Sequence, residues 1–256
     1  MNEVARYGAM LVLEPSHAKS RPLQGGGVKP RNADCAVGFC KPQGEPGLST
    51  ANRFGHVAFE PLVRYNRSMA LPAPAKRDAT FDDLHDVPEH QVAEIVDGEL
   101  YASPRPATLH AKAASSLGGE LYGPFERGRG GPGGWIILDE PELRLGSNVM
   151  VPDLAGWTRN RMPELPDAGA ITLAPDWVCE VLSPSTEALD RSVKMPRYAQ
   201  AGVSFAWLLD PRARSLEVYQ IREGSWHLHS QFVGDAPTRA VPFDEAEIEL
   251  ASLWRR

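Results

Sequence analysis

The order of apolar and polar positions becomes regular at about residue 80 and predicts a chain built mainly of β-strands. Short apolar runs bounded by glycine, proline and aspartate are typical of strands and of the turns between them. The predicted strands are 92–96, 99–102, 135–138, 142–145, 150–157, 177–182, 203–210, 215–221 and 226–232. The dipeptide Asp97-Gly98 predicts a hairpin between the first two.

Helices are predicted at three places between these strands. A capping signal at residues 80–83 opens a short helix, and residues 108–122 form a longer one because apolar side chains recur along one face. Residues 195–201 form another, since Pro196 suits a first helical turn and Gly202 suits a C-terminal stop. Many strands with a few packed helices predict an α/β or α+β sandwich.

The segment before residue 69 lacks this regularity. Residues 1–68 show turn-like clusters and no sustained helical or strand period, which predicts a largely disordered segment. A second hypothesis is that translation begins at Met69 and that the preceding residues are an over-extended gene model. Cys35 and Cys40 with His56 suggest zinc ligands, but no fourth ligand is evident, so the cysteines are interpreted as incidental thiols.

Length and composition restrict the class of protein. The chain has 256 residues, 42% of them hydrophobic, which is enough for one large domain, predicted at 69–256. Three cysteines form no disulfide framework, and this favours a reducing compartment. No apolar run approaches the roughly 18 residues of a membrane span. We therefore expect a cytoplasmic protein with no membrane partner.

The charge is acidic and unevenly distributed. The formal net charge is −6, with nine Lys and Arg against five Asp and Glu in residues 1–68, and 18 against 28 in the remainder. An acidic body has no general attraction for phosphate backbones, which counts against a nucleic-acid surface spread over the whole protein. It allows a local basic groove, or carboxylates whose charge a metal offsets.

One carboxylate stands inside the most apolar of the earlier strands. Glu180 lies in the middle of Trp-Val-Cys-Glu-Val-Leu at 177–182. An ionised carboxylate in such a strand is costly unless it is paired, solvated at an active site or bound to a metal. The alternative is an edge strand on which Glu180 faces solvent.

Two further residues give Glu180 a chemical context. Asp153 follows a proline on the preceding strand, and Lys194 precedes the short helix at 195–201. Two carboxylates on adjacent strands can hold Mg²⁺, with Mn²⁺ as a substitute, and the metal supplies the water activation and charge stabilisation that phosphodiester hydrolysis needs. A nearby lysine can orient or deprotonate the attacking water, or neutralise the transition state.

Each member of this set also has an ordinary structural explanation. Asp153 alone fits a turn or the start of a strand, and Lys194 alone fits a solvated surface position. Tyr198 shares a helix face with Lys194 and can pack beneath it. A serine hydrolase based on Ser183 or Ser185 is a weak alternative, because no Gly-x-Ser-x-Gly elbow surrounds either residue. The ordered Asp–Glu–Lys set therefore carries more weight than any one member.

Several segments in consistent order resemble the Uma-two family, also known as domain of unknown function 820, whose members are predicted restriction endonucleases. The resemblance covers about residues 80–225. Its segments are VAEIVDGEL at 92–100, Ser103-Pro104 leading to His110, VPD at 151–153, EVLSPST at 180–186, KMPRY at 194–198 and AGVSFAWLLDP at 201–211.

The resemblance implies a PD-(D/E)XK nuclease fold, in which helices flank a restriction-endonuclease-like central mixed sheet, here with extra β-hairpins. It implies Mg²⁺ ligation by Asp153 and Glu180, a catalytic role for Lys194 and an assisting role for Glu94. It gives His110 no clear role. In the wider superfamily a lysine stands two residues after the second acidic residue, where this chain has Leu182. The resemblance suggests that Lys194 fills that space from the following helix.

Two functional hypotheses follow. The first is a Mg²⁺-dependent endonuclease acting on DNA, for which cleavage of both strands favours a homodimer. The second is a catalytically inactive nuclease fold that serves as an interaction or regulatory module, which the acidic body favours. The sequence does not distinguish DNA from RNA, because no base-contacting element can be assigned.

Overall fold

The computed structural model describes residues 70–255, so the predictions for residues 1–68 lie outside the described part of the chain. The strands in chain order are β1 (Gln91–Val96), β2 (Glu99–Pro104), β3 (Trp135–Asp139), β4 (Leu143–Leu145), β5 (Asn148–Met150), β6 (Leu154–Thr158), β7 (Trp177–Val181), β8 (Phe205–Asp210), β9 (Ser215–Arg222) and β10 (Ser225–Val233). They form a small sheet ordered β2-β1-β5-β4 and a large sheet ordered β10-β9-β8-β7-β6-β3.

The helical segments connect and cover these sheets. They are a 3₁₀ helix (Phe81–Asp86), α1 (Thr108–Leu121) with a π-helical turn (Tyr122–Glu126), α2 (Glu187–Leu189) with a second π-helical turn (Asp190–Lys194), α3 (Met195–Ala201) and α4 (Leu250–Trp254). No helix within residues 70–255 is long and apolar enough to cross a membrane. The predicted fold class, a mixed sheet flanked by helices with extra hairpins, is confirmed.

Local sequence signals place several elements correctly. The hairpin between β1 and β2 turns at Asp97 and Gly98, whose positive φ angles of 54° and 75° suit the tight turn expected of this dipeptide. The predicted helix at 195–201 has the bounds of α3, and it ends at Gly202 in the left-handed conformation. The helical residues that lead into α3, from Glu187 to Lys194, were not predicted.

The predicted strand at 150–157 is divided between two strands, because strand pairing is interrupted at residues 151–153. Strand β5 ends at Met150 in the small sheet and β6 begins at Leu154 in the large sheet. Pro152 has no N–H for a strand ladder, and the Val151 N–H donates to a Glu94 carboxylate oxygen at 2.8 Å. Asp153 therefore lies in the connection between the small sheet and the large sheet.

The large sheet contains one parallel pair, β7 with β8, and its other neighbours are antiparallel. A parallel pair needs a crossover connection, which α2, the second π-helical turn and α3 provide. This crossover lies over one face of the sheet together with β1, β4 and β5, whereas α1 and α4 pack on the other face. Residues 187–201 therefore pack against β7, where Lys194 and Tyr198 contact Glu180.

Candidate active site

A cleft of about 240 Å³ opens where β6 and β7 meet the small sheet and the start of α1. Residues 103–107 and 183–186 form parts of its wall. The titratable and charged residues that line it are Glu94, Arg105, His110, Glu140, Asp153, Glu180, Asp190 and Lys194. The four predicted site residues (Glu94, Asp153, Glu180 and Lys194) thus share one cleft, and their catalytic and ligand roles stay predictions.

Asp153 and Glu180 both line the cleft at the end of the β6–β7 pair. Strands β6 and β7 are antiparallel with Leu154 opposite Cys179, and Asp153 and Glu180 are the residues next to this pair. The Val181 N–H donates to Asp153 Oδ2 at 2.7 Å, which fixes this carboxylate at the end of β7.

Glu180 is buried in the interior of the large sheet. The edge-strand alternative is wrong, because β7 lies between β6 and β8 and Glu180 is only 2% exposed. Burial raises the pKa of the Glu180 carboxyl well above its ordinary value, although the charge of Lys194 offsets part of the rise. The Tyr198 hydroxyl donates to Glu180 Oε1 at 2.6 Å.

The second oxygen of Glu180 remains open. Lys194 and Tyr198 both contact Oε1, and Oε2 accepts no hydrogen bond from any described residue. Within residues 70–255, the one fully buried side-chain polar atom without a hydrogen-bond partner is Trp177 Nε1. Glu180 Oε2 also lacks a partner but is not fully buried, so it is accessible from the cleft. An unpartnered carboxylate oxygen facing a cleft is a suitable donor for a cation.

Lys194 is a buried cation that two carboxylates share. The surface interpretation of this lysine is wrong, because its side chain is 3% exposed. Its Nζ forms ion pairs with Glu94 Oε1 at 2.8 Å and with Glu180 Oε1 at 2.9 Å, and it donates a hydrogen bond to the Val151 carbonyl at 3.3 Å. Two carboxylates therefore share this one buried cation.

The protonation of Lys194 follows from the same contacts. Burial alone would lower the pKa of the ammonium, but the charges of Glu180 and Glu94 outweigh this effect and raise it well above its ordinary value. Lys194 is therefore charged at neutral pH. A charged ammonium cannot accept a proton, which favours charge neutralisation over deprotonation of water, the other role open to this lysine.

Asp190 belongs to the site and was missed by the sequence analysis. It is 3% exposed, lines the cleft, and lies with one carboxylate oxygen 3.7 Å from Lys194 Nζ. Burial raises the pKa of Asp190 to about 7, with Lys194 lowering it and Glu94 and Asp153 raising it further. The available signal was its spacing of four residues from Lys194, which places both side chains on one helix face.

His110 contacts the site from the first turn of α1. Its Nε2 lies 2.5 Å from Asp153 Oδ1, and both side chains are mostly buried. Sequence reasoning identified His110 by resemblance alone and gave it no role. Its position in the first turn of α1 and the break before β6 bring the two residues together across 43 positions of sequence.

The serines at 183 and 185 show no nucleophilic arrangement. Ser183 Oγ lies 2.9 Å from Ser185 Oγ and 3.0 Å from Thr186 Oγ1, and the Thr186 N–H donates to Ser183 Oγ at 3.3 Å. No histidine in the described part of the chain bonds to either serine. These contacts fit a turn that leads into α2. Among the described residues, neither serine has the hydrogen-bonded base that a serine hydrolase needs.

The donor chemistry of the cleft fits a divalent cation. Four carboxylates, those of Glu94, Asp153, Glu180 and Asp190, face a single ammonium, so the site carries excess formal negative charge. Residues 70–255 contain no group of three His, Cys, Asp or Glu in position to hold a metal. Mg²⁺ is commonly bound by one or two carboxylates together with water and substrate phosphate, and Asp153 with Glu180 Oε2 meets that lesser requirement.

The chain is similar to known proteins in sequence and in fold. A family model described as "Putative restriction endonuclease" matches residues 78–251. A solved structure from Anabaena variabilis ATCC 29413, described as a "putative nuclease belonging to DUF820", is 22% identical with a TM-score of 0.56, covering 69% of this chain and 97% of the other. At that identity the likeness shows the fold alone. No curated protein matches the chain.

Proposed function

Because the chain belongs to the Uma2 family, whose model spans residues 78–251, we propose that it is a Mg²⁺-dependent endonuclease that hydrolyses DNA. The observation that carries the proposal is the cleft that Asp153 and Glu180 line together beside a buried ammonium. The family description supports a nuclease, and the choice of DNA rests on its reference to restriction endonucleases. Cytoplasmic location and a homodimer stay predictions.

In this proposal Asp153 and Glu180 Oε2 hold the metal ion. When bound, Mg²⁺ polarises the phosphoryl oxygens and lowers the pKa of water, which supplies the nucleophile at neutral pH. Glu94 holds Lys194 at 2.8 Å, and Tyr198 holds the remaining oxygen of Glu180 at 2.6 Å. These contacts fix the open carboxylate oxygen before substrate arrives.

Lys194 has an electrostatic role in this arrangement. Its charge offsets part of the repulsion among Glu94, Glu180 and Asp190, and it would offset the negative charge that develops as water attacks phosphorus and the P–O bond to the leaving group breaks. Since it is itself charged, it acts as a fixed positive charge beside the metal ligands. Proton removal from the attacking water is therefore assigned to other groups of the cleft.

The experiment compares full-length wild type with Glu180→Ala in two assays, isothermal titration with Mn²⁺ and metal-dependent cleavage of plasmid DNA. We expect saturable binding and cleavage in the wild type, and loss of cleavage by about 1,000-fold or more in the variant, as for removal of a principal electrostatic group. Glu245→Ala, at an exposed position outside the cleft, is the control. Cleavage that survives in Glu180→Ala would reject the site assignment.

A catalytically inactive interaction module is the second candidate. The observation that favours it is the lack, among residues 70–255, of three ligands already in position for a metal. It predicts that the wild type binds no Mn²⁺ and cleaves neither DNA nor RNA. Saturable Mn²⁺ binding that depends on Glu180 would contradict it.

A further inference from the structure

His110 makes a short hydrogen bond to Asp153 that the proposed mechanism does not yet use. The imidazole is the third residue of α1, its Nε2 lies 2.5 Å from Asp153 Oδ1, and the two side chains are 11% and 14% exposed. Both residues line the cleft. The contact is therefore part of the site and is more than a surface pairing.

Each oxygen of the Asp153 carboxylate has a hydrogen-bond partner. In the arrangement that would bind a cation, the His110 Nε2–H donates to Oδ1, since a carboxylate that binds a cation accepts hydrogen bonds only. The Val181 N–H donates to the other oxygen, Oδ2, at 2.7 Å. Donors on both oxygens set the rotation of the carboxylate, while each oxygen keeps a lone pair for a cation.

We propose that His110 is a positioning residue for metal binding, which holds the Asp153 carboxylate in the orientation that directs it at a divalent cation beside Glu180. This inference rests on the proposed function. Hydrogen bonds to a ligating carboxylate typically matter for affinity, and loss of such a partner weakens metal binding about 10- to 100-fold.

A purely structural role for the bond is a weaker explanation. Helix α1 is already anchored by Ala113, Leu117 and Leu121, all completely buried against the large sheet. The bond to Asp153 adds little to this packing, because it lies at the cleft end of the helix. A structural tie would therefore alter stability, whereas a positioning residue alters the affinity for metal.

The test is isothermal titration of Mn²⁺ into full-length wild type, His110→Ala and His110→Gln, with His90→Gln as the control at an exposed turn. The glutamine amide nitrogen can donate from about the position of the imidazole Nε2, so it restores the hydrogen bond without the ring. We expect the Kd for Mn²⁺ to rise about 10- to 100-fold in His110→Ala and to return to within about threefold of wild type in His110→Gln.

The outcomes separate this inference from the proposed function. If the wild type binds Mn²⁺ and His110→Ala binds it equally well, or if His110→Gln is as weak as His110→Ala, the positioning role is overturned and the metal site stands. If the wild type binds no Mn²⁺, both fail together. Should the variants not fold, long-range ¹H–¹⁵N spectra of the wild type decide, since an unprotonated Nε2 on His110 would overturn the proposal.

Discussion

Two ionic clusters include residues of the helical segment 187–201, and their charge balance differs. We call the first the cleft cluster, and its members are Glu94, Asp153, Glu180, Asp190 and Lys194. We call the second the arginine cluster, and its members are Glu187, Arg191, Asp210, Arg212 and Glu217. The first sets four carboxylates against one cation, and the second sets three against two.

The arginine cluster is saturated with hydrogen bonds. Arg191 contacts both oxygens of Glu217, at 2.8 and 2.7 Å, and its Nε donates to Glu187 at 3.1 Å. Arg212 donates to the other oxygen of Glu187 at 3.0 Å and also binds Asp210. Paired guanidinium and carboxylate groups of this kind satisfy each other geometrically, and the cluster joins the helical segment to β8 and β9.

The pKa shifts of the two clusters run in opposite directions. Burial would raise the pKa of Glu217, but hydrogen bonds from Arg191 and Tyr219 outweigh it and the pKa is lowered. Burial dominates in the cleft, where the pKa values of Glu180 and Asp190 are raised. The arginines therefore favour the ionised form of Glu217, whereas a bound cation would return Glu180 and Asp190 to the ionised form.

The largest effect is expected for the single cation of the cleft cluster. Lys194→Met leaves Glu94 and Glu180 buried without their common partner, so the free energy of unfolding should fall by about 3–5 kcal/mol. Urea denaturation at pH 7 measures this loss, with Lys112→Met on the exposed face of α1 as the control. A loss no larger than that of the control would show that the ammonium does not hold the cluster together.

The sequence predicts a feature of these clusters well only when the interacting residues are close together in the chain. The carboxylate of Glu180 in an apolar strand and the turn at Asp97 are local signals, and both predict the structure correctly. Lys194 reaches its partner Glu94 across 100 positions, so its burial could not be predicted from its neighbours in sequence. The break before Asp153 was missed because the apolar run continues across two different sheets.

A smaller loss is expected when the arginine cluster loses one of its cations. Arg191→Met removes the hydrogen bonds to Glu217 and Glu187, but Arg212 still binds Glu187, so the free energy of unfolding should fall by about 1.5–3 kcal/mol. The Kd for Mn²⁺ should stay at the wild-type value, because these contacts face away from the cleft. A Kd that rises tenfold or more would contradict the separation of the two clusters.

The contribution of Arg191 should also depend on pH. Three groups lie near Glu217: Arg191 on the π-helical turn, Tyr219 on the same strand and Asp210 on β8. The pKa of Glu217 is lowered in the folded protein. A lowered folded pKa gives stability that is complete above the unfolded value of about 4.3 and is lost as pH falls through the folded value. The stability difference between wild type and Arg191→Met should therefore narrow below about pH 4, whereas a constant difference would show that the ionic form of Glu217 is not involved.

The smallest effects come from a matched pair of tyrosines, one in each cluster. Tyr198 donates to Glu180 and Tyr219 donates to Glu217, each at 2.6 Å. Tyr198→Phe loosens the carboxylate proposed to hold the metal, although Lys194 still binds the same oxygen, so the Kd for Mn²⁺ should rise by about 3- to 10-fold, equivalent to one ordinary hydrogen bond. Tyr219→Phe removes an equivalent bond where no metal is expected, so it should leave the Kd unchanged. If Tyr219→Phe raised the Kd for Mn²⁺ as much as Tyr198→Phe, the proposed distinction would be wrong. An excess of carboxylates would then not separate a metal-binding cluster from a structural one.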